Sequence, residues 1–299
     1  MLDYSVIIPH YNDAENLARC LSSIPLREDL EVIIVDDASN PEKVDFAHFP
    51  GLDRPRTTVI FSKGKDGKGP GYARNVGMGR AQGRWIVFAD SDDYFLPGFS
   101  AVLDEYKDAP NDVVFFKCMK QDTEGNLSEY QMFNVLIDES IRKGTCEPIA
   151  FHFPSPIAKF IKRDFLMRNG IRYQEITGGD DILFSLRIAV NLKAYALSDT
   201  RLYCVVDRPG SLTRNTRWQG LSSYTSACCK AYDLLQPVSK ERIAYHWTAS
   251  WWGRLWAENK FRALCLMPRV AKSMGPVKML HCFKKALKVG KWDWENRER

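Results

Sequence analysis

Short apolar runs alternate with mixed polar stretches through the first part of the chain. Each run has the length of a strand and is too short for a typical helix, so each predicts a buried parallel strand. The runs are Ser5–Pro9, Glu31–Val35, Thr57–Phe61 and Trp85–Ala89.

The stretches between these runs have helical signals. Asn12, followed three positions later by Glu15, is a capping-box arrangement that predicts a helix running to about Ser23. A glycine-rich loop at 63–71 precedes a second predicted helix that carries Arg74. Strand, helix, strand, loop, helix and strand is the order of a doubly wound α/β sheet.

The later part of the chain continues this alternation and then changes. Residues 120–147 are polar and show no clear period, and beyond Arg217 the pattern is helical. The predicted fold class is therefore α/β, a mostly parallel sheet flanked by helices, with a catalytic domain at 1–215 and a helical C-terminal region at 216–299. The other predicted elements are strands at Asp112–Phe116 and Arg201–Val206 and helices at Lys162–Asn169 and Asp180–Asn191.

Several polar residues follow the predicted strands directly. In doubly wound sheets, ligands bind beyond the carboxyl ends of the strands. We therefore expect these residues to meet at one edge of the sheet, although they are far apart in the sequence. They are Pro9, Asp36, Asp37, Asp90, Asp92 and Asp93.

Composition adds few constraints. The 299 residues include 45% hydrophobic ones and carry a formal charge of +5, which is ordinary for a folded protein and argues against disorder. The eight cysteines show no metal-binding spacing, so reduced, cytosolic thiols are expected. We find no signal-peptide pattern and no run of about 18 apolar residues, so the predicted location is the cytoplasm.

The tetrapeptide Asp90-Ser91-Asp92-Asp93 is the strongest chemical signal. Carboxylates clustered after a buried strand repel one another, and a divalent cation such as Mn²⁺ or Mg²⁺ offsets that repulsion. A metal there would bridge the two phosphates of a nucleotide-sugar and stabilise the leaving diphosphate. The alternative interpretation is a turn with a helix cap, since Asp and Ser are common in both.

Three further segments carry chemistry. Asp36 and Asp37 suit hydrogen bonds to a base or ribose, although such a pair is also typical of a turn. The segment 69–75 combines glycines, a helix start and an arginine, which together favour phosphate. Asp180 and Asp181 follow two glycines at a helix start, where a carboxylate either deprotonates an acceptor hydroxyl or caps the helix.

These segments occur together in an order that strongly resembles the family 2 glycosyltransferases, which have the GT-A fold and build bacterial surface polysaccharides. The resemblance covers roughly residues 3–215. The matching segments are 5–12 (SVIIPHYN), 35–39 (VDDAS), 73–77 (ARNVG), 88–94 (FADSDDY), 162–166 (KRDFL), 169–171 (NGI), 179–184 (GDDILF) and 208–213 (RPGSLT).

The resemblance implies a GT-A, Rossmann-like fold and a nucleotide-sugar donor, with UDP as the favoured nucleotide. It implies donor-binding roles for a first set of residues: the base pocket for Pro9 and Tyr11, contact with the base for Asp37, and support for Asp36. It also implies that Arg74 holds the diphosphate or the sugar.

The remaining implied roles concern the metal and the catalyst. Asp90 and Asp92 would be the ends of a DxD motif with Ser91 between them, and Asp92 the better metal ligand. Asp181 would be the general base, and Asp180 would orient the acceptor. The chain departs from the family pattern at two places: Asp180 stands where a Glu is usual, and Asp66-Gly67 where an Asn is usual. The first departure leaves Asp180 open as the base.

The predicted function is inverting transfer of a sugar to a glycan or a lipid-linked acceptor. The alternatives are an inactive nucleotide-sugar-binding scaffold and a nucleotidylyltransferase. The scaffold would not need Asp180 and Asp181, and the nucleotidylyltransferase would need a glycine-rich phosphate loop where Pro9-His10-Tyr11 stands. Nucleic acid is excluded as a partner, because clustered aspartates repel phosphates. Arg208 or Arg214 either reaches the diphosphate or is a plain surface arginine.

The C-terminal region contains aromatic and basic residues at helical spacing. Two interpretations are open: a helical cap on the catalytic domain, or an interfacial segment that places the enzyme at the inner face of the membrane near a lipid-linked acceptor. The residues concerned are Trp247, Trp251, Trp252, Trp256, Lys278, Lys284, Lys285, Lys288 and Lys291.

Overall fold

The computed structural model describes residues 2–64, 67–208 and 218–296. Strands and helices alternate through the first half, as the sequence predicts. The strands are β1 (Tyr4–His10), β2 (Leu30–Asp36), β3 (Thr57–Phe61), β4 (Trp85–Phe88), β5 (Tyr94–Phe95), β6 (Val113–Gln121), β7 (Leu127–Glu129), β8 (Lys159–Lys162) and β9 (Tyr195–Val206).

The helices surround this sheet and then form a bundle of their own. They are α1 (Ala14–Ser22), α2 (Pro70–Arg80), α3 (Phe99–Tyr106), α4 (Gln131–Lys143), α5 (Glu147–His152), α6 (Arg163–Arg168), α7 (Asp180–Asn191), α8 (Trp218–Leu235), α9 (Glu241–Glu258), α10 (Lys260–Cys265), α11 (Met267–Met274) and α12 (Pro276–Asn296). The segment 120–147, which has no clear sequence period, contains β7 and α4.

The described strands form one mixed sheet in the order β3-β2-β1-β4-β8-β6-β9-β5, with β7 paired to β6. The first four strands along the chain, β1 to β4, pair in parallel. β8 runs antiparallel to both β4 and β6. Every residue of β1 is buried, as expected for a central strand covered on both faces.

Strand register brings the predicted polar residues to one edge. His10 pairs with Asp36 across β1 and β2, so these two strands end level. Ile7 pairs with Phe88, and the turn that begins at Asp90 therefore follows β4 beside the end of β1. The expectation that these residues meet at the carboxyl edge follows directly from this parallel register.

The predicted cap of the first helix is wrong. Asp13, and not Asn12, is the N-cap of α1, and its carboxylate accepts a hydrogen bond from the backbone N–H of Asn16. Asn12 has a left-handed φ of 57°, and its side-chain oxygen accepts the backbone N–H of Asn40 instead. Asn12 therefore links the segments that follow β1 and β2. A capping pattern, which considers only neighbouring residues, does not predict this contact.

The described residues form two hydrophobic cores. One surrounds the sheet, and the other joins the C-terminal helices to Ile182, Leu183 and Leu186 of α7. Trp252 is fully buried in the second core, and its indole N–H donates to the carbonyl of Ala263 at 2.9 Å. The predicted C-terminal helices are thus present, and α7 packs against them. In the part of the chain that the structure describes, no helix combines the length and apolar character needed to cross a membrane.

Candidate active site

The ends of β1 and β2 are joined by a buried hydrogen-bond network around Asp36. One oxygen of Asp36 lies 2.7 Å from Nδ1 of His10, and the carboxylate also accepts the backbone and hydroxyl donors of Ser39 at 3.0 and 2.5 Å. Nε2 of His10 accepts the backbone N–H of Asp13, which assigns the proton to Nδ1. Burial alone would raise the pKa of Asp36, but the hydrogen bonds from His10 and Ser39 lower it. Asp36 therefore supports the loops around it, and His10 is a supporting residue to which the sequence analysis gave no role.

Asp37 holds the glycine-rich loop. Its two carboxylate oxygens accept the backbone N–H groups of Lys68 and Gly69 at 3.0 and 2.6 Å. A Cβ at Gly67 would lie only 2.8 Å from the Asp37 carboxylate and carbonyl, so the loop approaches closely because it has a glycine there. Contact between Asp37 and a nucleotide base remains a prediction.

The two residues predicted to line the base pocket lie at the end of β1 and just beyond it. Pro9 is buried inside the strand. Tyr11 is 55% exposed, which is unusual for a large aromatic side chain next to a central strand. Its ring is therefore accessible to a planar ligand at the edge of the sheet.

Arg74 connects two carboxylates that come from distant parts of the chain. This side chain of α2 is buried, and its two terminal nitrogens lie 2.5 Å from Asp90 and 2.9 Å from Asp180. Its guanidinium carbon also lies 5.3 Å from the ring centre of Tyr173. The arginine thus offsets the repulsion between the turn after β4 and the start of α7. Contact between Arg74 and a nucleotide-sugar donor remains a prediction.

Helix α2 also fixes the loop that leads to α7. The side-chain amide of Asn75 donates to the carbonyl of Tyr173 at 3.1 Å and accepts its N–H at 3.0 Å. A Cβ at Gly71 would lie 2.2 Å from the carbonyl of Gln174 and 2.9 Å from Cβ of Asp180. Because only glycine permits this approach, the start of α2 and the start of α7 are held in contact.

The turn after β4 is tied to the end of β9. Arg208 donates from Nε to Asp92 at 2.6 Å and contacts Asp13 through Nη1 at 2.9 Å. Asp93 is buried and accepts the backbone N–H of Val206 at 2.8 Å. Burial and the charge of Asp90 raise the pKa of Asp92, an effect that Arg208 partly offsets. Arg208 is therefore an ion-pair partner of the predicted metal ligand, while Arg214 lies outside the described residues.

The carboxylates of this turn suit a metal only in combination with other ligands. Among the described residues, no group of three His, Cys, Asp or Glu side chains converges as a metal site. Asp90 and Asp92 each place one oxygen on an arginine, Arg74 and Arg208 respectively, so each keeps a second oxygen. A Mg²⁺ ion is commonly held by one or two carboxylates together with substrate phosphates, and this pair fits that requirement.

Asp180 and Asp181 have different environments, although they are adjacent at the start of α7. Gly179, with a φ of 76°, occupies the N-cap position, so neither aspartate is the cap. Asp180 is buried against Arg74, whereas Asp181 forms no ion pair with any described residue. Burial and the neighbouring Asp180 charge raise the pKa of Asp181 to about 7. A carboxyl group with that pKa is suited to accept a proton near neutral pH.

Two residues near Asp181 carried no sequence signal. The ring of Tyr224 in α8 packs on Gly178 and Gly179, where a Cβ would come within 2.9 Å of it, and it stacks on Trp251 at 4.1 Å. Lys159 in β8 is buried, and its ammonium donates to the carbonyl of Ser155. Burial lowers the pKa of Lys159 to about 8, and the Asp181 charge acts in the opposite direction. Both depend on contacts between distant segments, which a local pattern does not show.

Comparison with other sequences points to a single family of proteins. The profile of Glycosyl transferase family 2 matches residues 5–170, more than half of the chain. Poly(ribitol-phosphate) beta-N-acetylglucosaminyltransferase TarS of Staphylococcus aureus (strain MW2) is 25% identical over 229 residues, 70% of this chain and 36% of that protein. Succinoglycan biosynthesis protein ExoO of Rhizobium meliloti (strain 1021) is 27% identical over 247 residues, 75% of this chain and 66% of that protein. The chain thus spans only about a third of the length of TarS.

Solved structures share the fold. A crystal structure of S. aureus TarS 1-349 in complex with UDP-GlcNAc has a TM-score of 0.69 at 19% identity, covering 99% of this chain and 92% of that chain. Mannosyltransferase PcManGT from Pyrobaculum calidifontis, in complex with GDP-Man and Mn²⁺, has a TM-score of 0.56 at 17% identity, covering 97% and 87%. The first likeness confirms the expected GT-A fold. The match of the family profile to more than half of the sequence shows that the chain belongs to Glycosyl transferase family 2.

Proposed function

We propose that the protein is an inverting glycosyltransferase that moves a sugar from a nucleotide-sugar, with UDP as the nucleotide, to a hydroxyl of a glycan or lipid-linked acceptor. The observation that carries this proposal is the Arg74 bridge between Asp90 and Asp180, which holds the turn after β4 close to the start of α7. Asp181, with a pKa of about 7, lies beside that bridge. A donor-binding turn and a proton acceptor thus share one edge of the sheet.

In the proposed reaction, Asp181 takes the proton of the acceptor hydroxyl. The acceptor oxygen forms a bond to the anomeric carbon from the face opposite the diphosphate. The bond between that carbon and the diphosphate oxygen breaks, and the nucleoside diphosphate leaves with the electron pair. Asp180 and Arg74 keep Asp181 in position, so that the reacting groups meet without a large loss of entropy.

Donor binding in this proposal uses the ends of β1, β2 and β4. Tyr11 packs on the base, which also lies against Pro9, and Asp37 contacts the base next to the supporting Asp36. Ser91 lies in the same donor site. A bound Mn²⁺ or Mg²⁺, held by Asp92 and Asp90, would offset the charge of the diphosphate. Support for a nucleotide-sugar donor comes from the complexes of the structural relatives with UDP-GlcNAc and GDP-Man.

Two other functions are less well supported. An inactive nucleotide-sugar-binding scaffold would have no use for Asp181, a carboxyl group with a pKa near 7 at the edge of the sheet. A nucleotidylyltransferase would use a phosphate loop at the end of β1, where the buried Pro9 and His10 stand instead. The relative TarS is named as an N-acetylglucosaminyltransferase, which favours sugar transfer over both alternatives.

The direct test is hydrolysis of a donor panel by the purified protein. We expect one sugar nucleotide among the UDP-, GDP- and dTDP-sugars to be turned over, with a requirement for Mn²⁺ or Mg²⁺. Asp92→Ala should reduce turnover by at least about a hundredfold, because the charge on the leaving diphosphate loses its compensation. Asp53→Ala, which changes an exposed aspartate in a surface loop, should leave it unchanged. If the folded protein binds no sugar nucleotide, the transferase function is wrong.

We also propose a peripheral membrane contact through the outer face of α12. This face is exposed and combines Val277 and Leu280 with basic side chains. Each lysine near an anionic membrane surface contributes about 1 kcal/mol of attraction. The basic residues on this face are Lys284 and Lys288. Lys278 and Lys285 flank it, and their ammonium groups contact Tyr232 and His246 of the neighbouring helices.

Vesicle sedimentation tests this contact. We expect more protein to sediment with vesicles containing phosphatidylglycerol than with neutral ones. Lys284→Glu/Lys288→Glu should abolish the difference, while the charge-matched Lys43→Glu/Lys193→Glu should retain it. Equal sedimentation of the unaltered protein with both kinds of vesicle would rule out the contact.

A further inference from the structure

A cleft of about 210 Å³ lies beside the loop that leads to the proposed base. One wall is the segment that contains Gln174 and Ile176, and the opposite wall is the part of α8 between Ser222 and Lys230. The end of α10 and the start of α11 close it through Leu266 and Arg269. None of the described residues lining this cleft is acidic.

The cleft is rich in hydrogen-bond donors. Lys230 uses one donor on the side-chain oxygen of Gln174 at 2.9 Å, and Arg269 uses one on the hydroxyl of Ser226 at 2.6 Å. Neither cation forms an ion pair with a carboxylate among the described residues, so most of their N–H groups remain available. Nε2 of Gln174 is buried without a hydrogen-bond partner among the described residues. Ser222 and Ser223 add hydroxyl groups to the same surface.

The position of the cleft connects it to the reaction. The carbonyls of Gln174 and Ile176 lie against Gly71 and Gly69 at the start of α2, so the wall of the cleft is also part of the catalytic edge. Asp180, the neighbour of the proposed base Asp181, is four positions after Ile176, which limits the distance between the Cα atoms of Ile176 and Asp180 to about 14 Å. A short oligomeric acceptor can therefore occupy the cleft while one of its hydroxyl groups reaches the proposed base.

Excess donors and unpaired cations are the features of an anion site. A phosphate offers several charged acceptor oxygens, to which arginine and lysine form strong hydrogen bonds. We propose that this cleft is an acceptor subsite that binds a phosphate group of the acceptor. The phosphate is either a phosphodiester of a polyol-phosphate chain or the diphosphate that joins a glycan to a lipid. The subsite deepens the proposed transferase function and rests on it.

Calorimetric binding to the full chain tests the subsite with three probes. They are a glycerol phosphate tetramer, farnesyl diphosphate and the neutral maltotetraose. We expect at least one phosphate-bearing probe to bind more tightly than maltotetraose, and the one that does identifies the source of the phosphate. Lys230→Gln/Arg269→Gln should weaken that binding by at least about tenfold, since two charged donors are lost. The charge-matched Lys193→Gln/Lys272→Gln, at exposed positions outside the cleft, should bind like the unaltered protein.

The subsite is overturned if neither phosphate-bearing probe binds more tightly than maltotetraose, or if the double variant binds like the unaltered protein. Donor hydrolysis on the same samples separates this result from a failure of the proposed function. A chain that hydrolyses a sugar nucleotide and fails the phosphate test lacks only the subsite. A folded chain that binds no sugar nucleotide lacks the transferase function, and the subsite loses its role as well.

Discussion

Asp181→Asn is expected to lower kcat by about 10²- to 10⁴-fold, the usual contribution of a general base. Asparagine keeps the size of the side chain but cannot accept the proton of the acceptor hydroxyl. Donor binding should change little, because Asp181 forms no ion pair with any described residue, whereas the proposed donor contacts are made by Asp90 and Asp92 in the turn after β4. The measurement is steady-state transfer with a saturating donor, together with donor affinity by calorimetry.

The pH dependence gives the same residue a second test. Asp181, the proposed base, must be ionised to act, and its pKa of about 7 means that it is largely protonated below neutral pH. We therefore expect kcat/KM of the unaltered protein to rise by about tenfold for each pH unit below 7 and to level off above it. Seven groups interact electrostatically with Asp181 and therefore influence the rising part of this pH profile. They are Asp180, Arg74, Asp90, Lys159, Tyr173, Tyr224 and Cys228.

Stability should respond to pH in the opposite direction. The pKa of Asp181 is raised in the folded protein above the ordinary aspartate value of 3.8, so the folded form binds this proton more tightly than the unfolded chain does. The resulting stabilisation is complete below about pH 4 and is lost as the pH rises through about 7. Asp181→Asn should therefore be more stable than the unaltered protein at pH 8, by more than about 1 kcal/mol. Thermal melting at pH 4 and pH 8 measures the difference.

Asp180→Asn distinguishes the two adjacent aspartates. It removes a charge that pairs with Arg74 at 2.9 Å, so it should disturb the position of the loop and raise KM more than it lowers kcat. Should Asp180→Asn abolish transfer while Asp181→Asn retains it, the assignment of the base is reversed.

Much of this site could be predicted from the sequence, because its residues follow strands whose parallel order is set by local patterns. Asp36, Asp37, Asp90 and Asp92 lie at the expected carboxyl edge for that reason. The start of α7 at Asp180 was also predicted, since two glycines precede an apolar helical period.

The pairing within the site could not be predicted. Arg74 contacts Asp180, 106 positions away, through the approach of α2 to α7 that Gly71 permits. Asn12 shows the same limit, because its partner Asn40 follows the neighbouring strand β2, 28 positions along the chain, and a capping pattern considers only neighbours in the sequence. Such contacts depend on the order of the whole sheet, and the sequence indicates only the residues that are available for them.

The C-terminal helices are expected to be essential for the folding of α7. We expect a chain that ends at residue 215 to lose cooperative folding around that helix. Ile182, Leu183 and Leu186 are buried at 4%, 5% and 0% exposure in a core that the C-terminal helices complete. Exposing each of them costs about 1.5–3 kcal/mol, and the sum approaches the 5–15 kcal/mol that stabilises a typical domain. Circular dichroism melting of the shortened chain measures the loss.

Trp252→Ala in the full chain provides the matched variant. Loss of the Trp252 side chain from the second core should lower the free energy of unfolding by about 3–5 kcal/mol while leaving the sheet intact. The first turn of α7 should loosen with it, because Tyr224 holds Gly178 and Gly179 through a stack that includes Trp251 of the same helix as Trp252. A shortened chain that melts cooperatively and still hydrolyses its donor would show that residues 1–215 are an independent catalytic domain. Loss of both properties would mean that the helices of residues 216–299 complete the catalytic site by fixing the start of α7.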